Sequence, residues 1–167
     1  MIVGVTGHQN LGAEDDVSWT RTTLREALAS LPISSGLTSL AVGADQIFAE
    51  LLIEARIPYA LVLPCAGYEN SFGKAADLER FQSLMAQAHK THQLPFSAPC
   101  EEAYFAAGKW IVMHCELLIA IWNGRPARGL GGTADVVKFA QAETRPILHI
   151  NPVEHTTHRL MGPDSST

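Results

Sequence analysis

Residues 128–140, RGLGGTADVVKFA, combine residue types that are typical of phosphate binding. Gly129, Gly131 and Gly132 carry no Cβ, so the backbone there can approach a ligand closely. Thr133 stands where a helix is predicted to begin, and the free amides of a first helical turn attract anions. The stretch therefore predicts a phosphate-binding turn. A tight turn followed by a helix that Thr133 caps explains the same residues, and both interpretations stay open.

Two familiar nucleotide-binding motifs do not fit the chain. The lysine of a Walker loop is missing after the glycines of residues 128–133, so this segment is not a P-loop. Residues 6–12, TGHQNLG, do not match the G-x-G-x-x-G fingerprint of dinucleotide-binding folds. Hydride transfer with an ordinary nicotinamide loses support for that reason, and we expect no cofactor.

The elements that must position these residues alternate between strand and helix along the whole chain. This alternation predicts an α/β fold with a doubly wound, mainly parallel, Rossmann-like sheet flanked by helices. The predicted strands are residues 2–6, 37–42, 59–63, 89–94, 117–122 and 146–150. Small or polar residues follow four of them, at 6–10, 43–45, 64–70 and 123–133. Loops that follow parallel strands share one sheet edge, so we expect these four to line one crevice.

Length and composition set the domain organisation. A chain of 167 residues with 47% apolar residues suits one compact domain. We expect this domain to cover residues 1–153, followed by a flexible polar tail over 154–167. The apolar runs are far shorter than a membrane span requires.

Charge and cysteine content narrow the function classes. The formal net charge of -5 at pH 7 argues against general affinity for nucleic acid or anionic membranes. The chain starts with a strand-like run rather than a secretory leader, and its three cysteines are widely spaced. We expect a cytoplasmic protein with reduced thiols that binds any anionic ligand locally.

Three carboxylates are candidates for catalysis. General acid–base catalysis needs a carboxylate positioned against the reacting atom or against an attacking water. Asp45, Glu69 and Asp135 follow predicted strands and fit that role. A helix cap explains Asp45 equally well. A solvated loop residue is the alternative for Glu69.

Other side chains near the predicted crevice suit ligand contact. Tyr68 can stack on a base, and Trp122 can either stack or pack in the core. His8 can donate to a phosphate, act as an acid or make a structural hydrogen bond. The pair His89 and His92 lacks a third ligand, so no metal site is predicted.

Four sequence runs together resemble the SLOG superfamily of Rossmann-like proteins. They are VGVTGH at 3–8, AVGAD at 41–45, LIAIWNG at 118–124 and GGTAD at 131–135. This superfamily includes LOG phosphoribohydrolases, often called lysine decarboxylase-like, the DNA-processing protein DprA and sensors of nucleotide derivatives. The resemblance covers residues 1–152, and it is greatest to a bacterial branch with W-x-G followed by G-G-T-A.

The resemblance implies a nucleoside monophosphate or an ADP-ribose-like molecule in the crevice. By position, the run from Gly131 to Ala134 would hold a phosphate, and Thr6, Gly7, Gly43 and Asp45 would border the rest of the ligand. The predicted ligand-binding set is Thr6, Gly7, His8, Gly43, Ala44, Asp45, Tyr68, Trp122, Gly124, Gly131, Gly132, Thr133 and Ala134.

The chain departs from the LOG pattern at the residues that carry catalysis there. LOG enzymes have a G-T-x-x-E pattern, and the position of its glutamate is Val136 here. The arginine of the preceding helix falls near Ala107, with Lys109 two residues later. Asp135 cannot substitute for the glutamate, because one helical step rotates a side chain by about 100°.

These features favour a module that senses or carries a nucleotide, or a nucleotide derivative, at the C-terminal edge of the sheet. The alternative is a LOG-like hydrolase or transferase acting on the N-glycosidic bond of a nucleoside 5′-monophosphate. A third hypothesis, a DprA-like partner of nucleic acid, is disfavoured by the net charge. The resemblance also implies a homodimer, for which the apolar helix over residues 78–88 is a candidate contact.

Overall fold

The computed structural model describes residues 1–160, which form one seven-stranded sheet and five α-helices. The strands are β1 (Ile2–Gly7), β2 (Ser35–Thr38), β3 (Tyr59–Leu63), β4 (Lys90–Gln93), β5 (Leu117–Ile121), β6 (Ile147–Asn151) and β7 (Thr156–Leu160). The helices are α1 (Glu14–Ser30), α2 (Ala44–Glu54), α3 (Ala75–Met85), α4 (Glu101–His114) and α5 (Thr133–Ala142).

The strand order β4-β3-β2-β1-β5-β6-β7 places β1 and β5 side by side at the centre of the sheet. Strands β1 to β6 are parallel, and β7 pairs antiparallel with β6. The chain runs outward from β1 to β4 and then crosses back through α4 to β5. The order therefore reverses between β1 and β5, and a crevice opens beyond their carboxyl ends. This is the α/β, Rossmann-like fold that the alternation predicted.

Strand β5 is buried on both faces, as its unbroken apolar sequence LLIAI indicates. Ile119 and Ile121 contribute to the core beneath α1, α2 and α3, whereas Leu118 and Ala120 contribute to the core beneath α4 and α5. Alternate residues of one strand point to opposite faces of a sheet. The helices that follow β1 and β5 therefore leave the sheet on opposite sides.

The second strand is shorter than its apolar run predicted. It ends at Thr38, whereas the run 37–42 suggested four more residues. Leu40 adopts a φ of 55°, and the Leu40 amide donates a hydrogen bond to the Thr38 hydroxyl at 3.0 Å. These features turn the chain out of the sheet, and the loop to α2 starts early.

The start of the predicted tail forms regular structure. Residues 156–160 are β7, an edge strand, whereas the polar sequence had suggested flexibility from 154 onward. The middle of β7, Thr157 to Arg159, is exposed, so the strand carries no strong apolar signal. The tail prediction is wrong for this segment, and residues 161–167 lie outside the described part of the chain.

Helix α3 packs its apolar side on the chain's own core. Phe81 and Leu84 are buried there, and Leu78 is packed against them. Most of the apolar face that suggested a dimer contact is therefore covered within the chain, whereas Met85 is exposed. Among the helices of residues 1–160, none combines the length and the apolarity that a bilayer crossing requires.

Candidate functional site

A cleft of about 760 Å³ lies at the C-terminal edge of the sheet. The loops after β1, β2, β3 and β5 contribute to it, together with α4 and the first turn of α5. The predicted ligand-binding residues in its walls are Thr6, Gly7, His8, Asp45, Tyr68, Trp122, Gly131, Gly132, Thr133 and Ala134. The predicted residues outside its walls are Gly43, Ala44, Glu69, Gly124 and Asp135. The sheet thus brings most of the set together from four separate parts of the chain.

The first turn of α5 presents main-chain donors to the cleft. Gly132, Thr133 and Ala134 line it, and the first amides of a helix have no acceptor one turn earlier. The Asp135 carboxylate instead accepts the Gly131 amide at 3.0 Å, and its own amide donates to the Gly132 carbonyl at 3.0 Å. The turn is therefore capped on its loop side and open at residues 132–134.

The glycines of this turn make room for protein rather than for a ligand, contrary to the expectation from the sequence. Gly131 has a φ of 84°, and a Cβ there would lie 2.9 Å from the Glu101 carbonyl oxygen and from the Phe105 nitrogen. A Cβ on Gly132 would lie 2.9 Å from the Ala127 side chain. Close packing against α4 and within the loop explains these glycines. The part of the turn that a ligand can use is its amides.

His8 links the loops that follow β1 and β5. Its amide donates to the Ile121 carbonyl at 3.0 Å, and its Nε2 accepts the Asn123 amide at 3.4 Å. An amide can only donate, so Nε2 is the acceptor in this bond. The structural interpretation of His8 therefore has a specific partner, although the residue also borders the cleft.

The start of α2 is sealed by the loop after β1. The Ala44 amide donates to the His8 carbonyl at 3.1 Å, and Ala44 is fully buried. Gly43 has a φ of 88°, and a Cβ there would lie 2.2 Å from the Gln9 carbonyl oxygen. Gly43 and Ala44 therefore hold two loops together. Gly43 borders a neighbouring cavity of about 590 Å³ that shares Tyr68 with the cleft.

Asp45 is a buried carboxylate at the cleft wall, with 5% of its surface exposed. Its Oδ2 accepts the Thr38 hydroxyl and the Ser39 amide, each at 3.0 Å. Burial raises the pKa of Asp45 to about 6, although these hydrogen bonds and the nearby amides of Ala41 and Leu40 oppose the shift. A carboxyl group with that pKa can exchange a proton near neutral pH.

Tyr68 is held edge-on by other aromatic rings. Its ring centroid lies 5.4 Å from that of Phe72, 5.5 Å from that of Phe81 and 6.2 Å from that of Tyr104. Burial raises the pKa of the Tyr68 hydroxyl, and the charge of Asp45 raises it further. The Tyr68 ring is packed in this cluster, and the residue also lines the cleft.

Trp122 is held in place by two polar contacts. Its Nε1 donates to the Arg125 carbonyl at 2.7 Å, and its carbonyl lies 2.7 Å from the His149 Nε2. The indole thereby shapes the loop after β5 and still borders the cleft. The side chains of Arg125 and Arg128 are exposed at the same wall and supply its positive charge.

The floor of the cleft is apolar where LOG enzymes carry charged catalytic residues. Ala107 and Val136 line it, and each is 2% exposed. A Cβ on Gly108 would lie 2.5 Å from the Val136 side chain, so α4 and α5 are in close contact there. No space remains for a side chain at position 108 between these two helices. Glu69 is exposed and does not line the cleft, and its catalytic role stays a prediction.

Sequence reasoning missed one wall residue of clear interest. Tyr104 lines the cleft and packs against Tyr68. It stands three residues before Ala107, near which the arginine of the LOG pattern falls, and residues three apart share a helix face. That spacing was the available signal. Within residues 1–160, no group of three or more histidine, cysteine, aspartate or glutamate side chains is arranged to hold a metal ion.

Comparison with known proteins shows similarity in structure only. A scan against protein-family models and a search of curated proteins gave no match. DNA processing protein A from Helicobacter pylori, whose structure concerns single-stranded DNA binding, superimposes with a TM-score of 0.63 at 16% identity. The match covers 89% of this chain and 64% of that one.

Two further solved structures share the fold. DprA from Streptococcus pneumoniae gives a TM-score of 0.62 at 15% identity, over 88% of this chain and 49% of that one. The molybdenum cofactor binding protein from Rippkaea orientalis gives a TM-score of 0.57 at 18% identity, over 90% of this chain and 76% of that one. The chain spans about half to two thirds of the DNA-processing proteins. These structures share the Rossmann-like fold of this chain, at 15–18% identity.

Proposed function

We propose that the cleft binds a nucleotide or a nucleotide derivative, such as a nucleoside monophosphate or an ADP-ribose-like molecule, and that the protein senses or carries it. The open amides of residues 132–134 carry this proposal, because they present aligned donors to the cleft at the positive end of a helix. Arg125 and Arg128 on the same wall favour an anion. The cleft volume of about 760 Å³ lies within the range of small-molecule sites.

Binding without turnover is favoured by the apolar floor. By the count along the sequence, the glutamate of the LOG pattern falls at Val136 and its arginine falls near Ala107, and both of these residues are buried. The fold is shared with a protein described as a molybdenum cofactor binder, which adds support for a small-molecule ligand. Its similarity to DNA-processing proteins is a similarity of fold, and the net charge of -5 weighs against a nucleic-acid partner.

A second candidate function, hydrolysis or transfer at an N-glycosidic bond, is favoured by one observation. Asp45 borders the cleft, and its pKa of about 6 suits a general acid or base near neutrality. The two candidates differ in what happens to the ligand. Incubation with a panel of nucleoside 5′-monophosphates, followed by chromatography for free base, separates them. Stabilisation against heat without base release supports the sensor or carrier.

Substitution of Thr133 by proline tests the phosphate seat. Thr133 is the first residue of α5, where proline fits the helix, and Gly132 has a ψ of 168° that suits a residue before proline. Thr133→Pro removes the amide donor and the hydroxyl, whereas Thr133→Ala removes the hydroxyl alone. We expect the proline variant to bind nucleoside monophosphates roughly tenfold more weakly than the alanine variant, measured by calorimetry.

A matched control separates the lost donor from a general effect of proline. Glu14 is the first residue of α1, it is exposed, and it lies outside the cleft. Glu14→Pro should leave nucleotide affinity unchanged. Equal affinities of Thr133→Pro and Thr133→Ala would show that the first amide of α5 does not hold the phosphate. Failure of every phosphorylated ligand to bind the unsubstituted protein would overturn the proposed function.

A further inference from the structure

A second cavity lies beside the cleft at the same edge of the sheet. Its volume is about 590 Å³, and the residues that line both spaces are Gln9 to Gly12, Ala41, Tyr68 and Ser71. Gln9 and Ser71 are exposed, so a ligand can cross from one space to the other over them. Each space has by itself the volume of a small-molecule site. Together they suit a ligand that is made of two parts.

Apolar side chains form much of the wall that the second cavity does not share with the cleft. They come from α1, from the loop before α2, from α2 itself and from the loop after β3, and they are Val17, Val42, Ile47 and Phe72. A ring that packs against such side chains loses apolar surface to water, which stabilises the bound state. This wall therefore favours a ring system with apolar faces over a phosphate.

The charged residues of the second cavity balance one another. Arg80 lines it, but its Nε donates to the Glu50 Oε1 at 2.6 Å, so a carboxylate already neutralises the guanidinium. Lys74 and Asp77 line the same cavity with opposite charges. These residues therefore supply little net attraction for a phosphate. Lys74 offers a hydrogen-bond donor and Asp77 an acceptor, which suit the polar edge of an uncharged nitrogen heterocycle.

The strand order determines how the second cavity lies relative to α5. The strands run β5-β1-β2-β3 in this part of the sheet. Helix α5 follows β5, whereas the loops after β1, β2 and β3 line the second cavity. Neighbouring strands are about 4.8 Å apart, so the ends of β5 and β3 are separated by roughly 14 Å. A ligand with its phosphate at α5 reaches the second cavity only by extending past the end of β1.

We propose that the second cavity binds the second base of a dinucleotide whose phosphates lie at α5. In such a molecule, phosphates join two nucleosides. One nucleoside lies in the cleft, and the base of the other lies against the apolar wall of the second cavity. The inference rests on the proposed function, because it takes the phosphate position at α5 from it. It narrows the ligand from any nucleotide or nucleotide derivative to one with two bases.

Calorimetric titration of the full chain with three probes tests this inference. The probes are the nucleoside 5′-monophosphate that the chain binds most tightly, the corresponding nucleoside diphosphate ribose, and the dinucleoside diphosphate with two copies of the same base. The second and third probes have the same phosphates and differ by one base. We expect the dinucleoside diphosphate to bind about tenfold more tightly than the diphosphate ribose, because the second base is buried and stacked.

Substitution of Gly73 by a larger residue reduces the space in the second cavity. Gly73 lines this cavity and not the cleft, and nothing lies within 4 Å of its Cβ position. Its φ is outside the left-handed region, so a side chain there adds no backbone strain. Gly73→Leu should remove most of the tenfold gain and leave the affinity for the monophosphate unchanged. Gly73→Ala should remove a smaller part of the gain.

Two further variants serve as controls. Ala75 is exposed, stands two residues after Gly73 and lines neither space, so Ala75→Leu should leave the gain unchanged. Thr133→Pro removes a donor at the phosphate end and should weaken the binding of all three probes. Thermal unfolding of each ligand-free variant shows whether it is folded. Gly73→Ala tests the cavity independently if Gly73→Leu is not folded.

The outcomes distinguish this inference from the proposed function. Equal affinity for the dinucleoside diphosphate and the diphosphate ribose overturns the inference and leaves nucleotide binding in place. A gain that Gly73→Leu does not reduce assigns the second base to another place and also overturns it, as does an equal loss for all three probes in that variant. Binding of none of the probes overturns both proposals. A gain that falls in the Gly73 variants and persists in Ala75→Leu supports the assignment.

Discussion

The starts of α2 and α5 look alike in sequence but differ in what surrounds them. Each helix follows a glycine with positive φ, at Gly43 and Gly131, and each has an aspartate in its first turn, at Asp45 and Asp135. In α2, the loop after β1 takes the first amide, through the His8 carbonyl. In α5, residues 132–134 line the cleft, and no carbonyl of the loop after β1 takes their amides.

The two aspartates show the same contrast. Asp45 folds back on the loop that precedes its helix and is buried with Thr38 and Ser39. Asp135 caps only the Gly131 amide and remains partly exposed. A glycine followed by a helix and an acidic residue therefore marks either a sealed junction or an open anion site. What packs over the helix start decides between them.

The largest expected effect is a loss of stability when alanine replaces a glycine that other atoms enclose, compared with a glycine that has space around it. Gly43→Ala forces a side chain into a backbone conformation with positive φ and places its Cβ 2.2 Å from the Gln9 carbonyl oxygen. Because both effects destabilise the folded state, we expect the free energy of unfolding to fall by about 3–5 kcal/mol. Gly124 has a φ of 79° but nothing within 4 Å of its Cβ position, so Gly124→Ala should cost about 1 kcal/mol. Urea denaturation measures both. Equal losses would show that the loop after β1 does not seal α2.

The next effect is the pH dependence of the free energy of unfolding that results from the burial of Asp45. Its pKa is about 6 in the folded protein against 3.8 as the ordinary value, so the folded state binds the proton more tightly. Asp45 therefore stabilises the fold below about pH 4 and loses this contribution as the pH rises through about 6. Asp45→Asn abolishes the dependence. From pH 4 to pH 7, we expect the variant to gain stability relative to the unsubstituted protein by on the order of 2–3 kcal/mol.

Denaturation curves at several pH values test this expectation. Asp15→Asn is the control, because Asp15 is exposed at the same position of α1 and should give no such change. If the stability of the unsubstituted protein and that of the Asp45→Asn variant changed in parallel between pH 4 and 7, this result would contradict the burial of an ionisable carboxylate at α2.

The smallest effect concerns the partial cap at α5. Asp135→Ala removes the acceptor of the Gly131 amide, and we expect a stability loss of about 1 kcal/mol. The same change frees one more amide and removes a negative charge near the seat, so affinity for a nucleoside monophosphate should rise about two- to fivefold. Asp135→Asn keeps an acceptor oxygen but removes the negative charge, so it distinguishes the effect of the charge on affinity from the effect of the lost hydrogen bond. Unchanged or weaker binding by both variants would place the phosphate away from α5.

The sequence predicted the elements well where periodicity and burial agree. The strand at 59–63 has the predicted bounds, and β5 is buried as its apolar run indicated. The errors arose where long-range contacts overrode local pattern. The apolar run 37–42 extends beyond the strand because Leu40 is buried in the loop that follows it. The β7 segment is polar, although it is a strand, because it lies at the edge of the sheet.

The candidate site was predictable at the level of loops but less so at the level of side chains. Parallel topology alone places the loops after β1, β2, β3 and β5 at one edge, and residues from all four line the cleft. The roles of individual residues depended on neighbours distant in sequence. Gly131 is shaped by Glu101 and Phe105, and Tyr68 is turned edge-on by Phe81 and Tyr104.

The sequence by itself determined the order of strands and helices, the parallel sheet and the edge at which polar loops gather, because hydrophobic period and glycine placement are local properties. Only the tertiary structure decided which helix start is sealed and which is open, and which carboxylate is buried at the cleft. Those properties depend on burial and hydrogen bonding between loops that are adjacent in space and far apart along the chain.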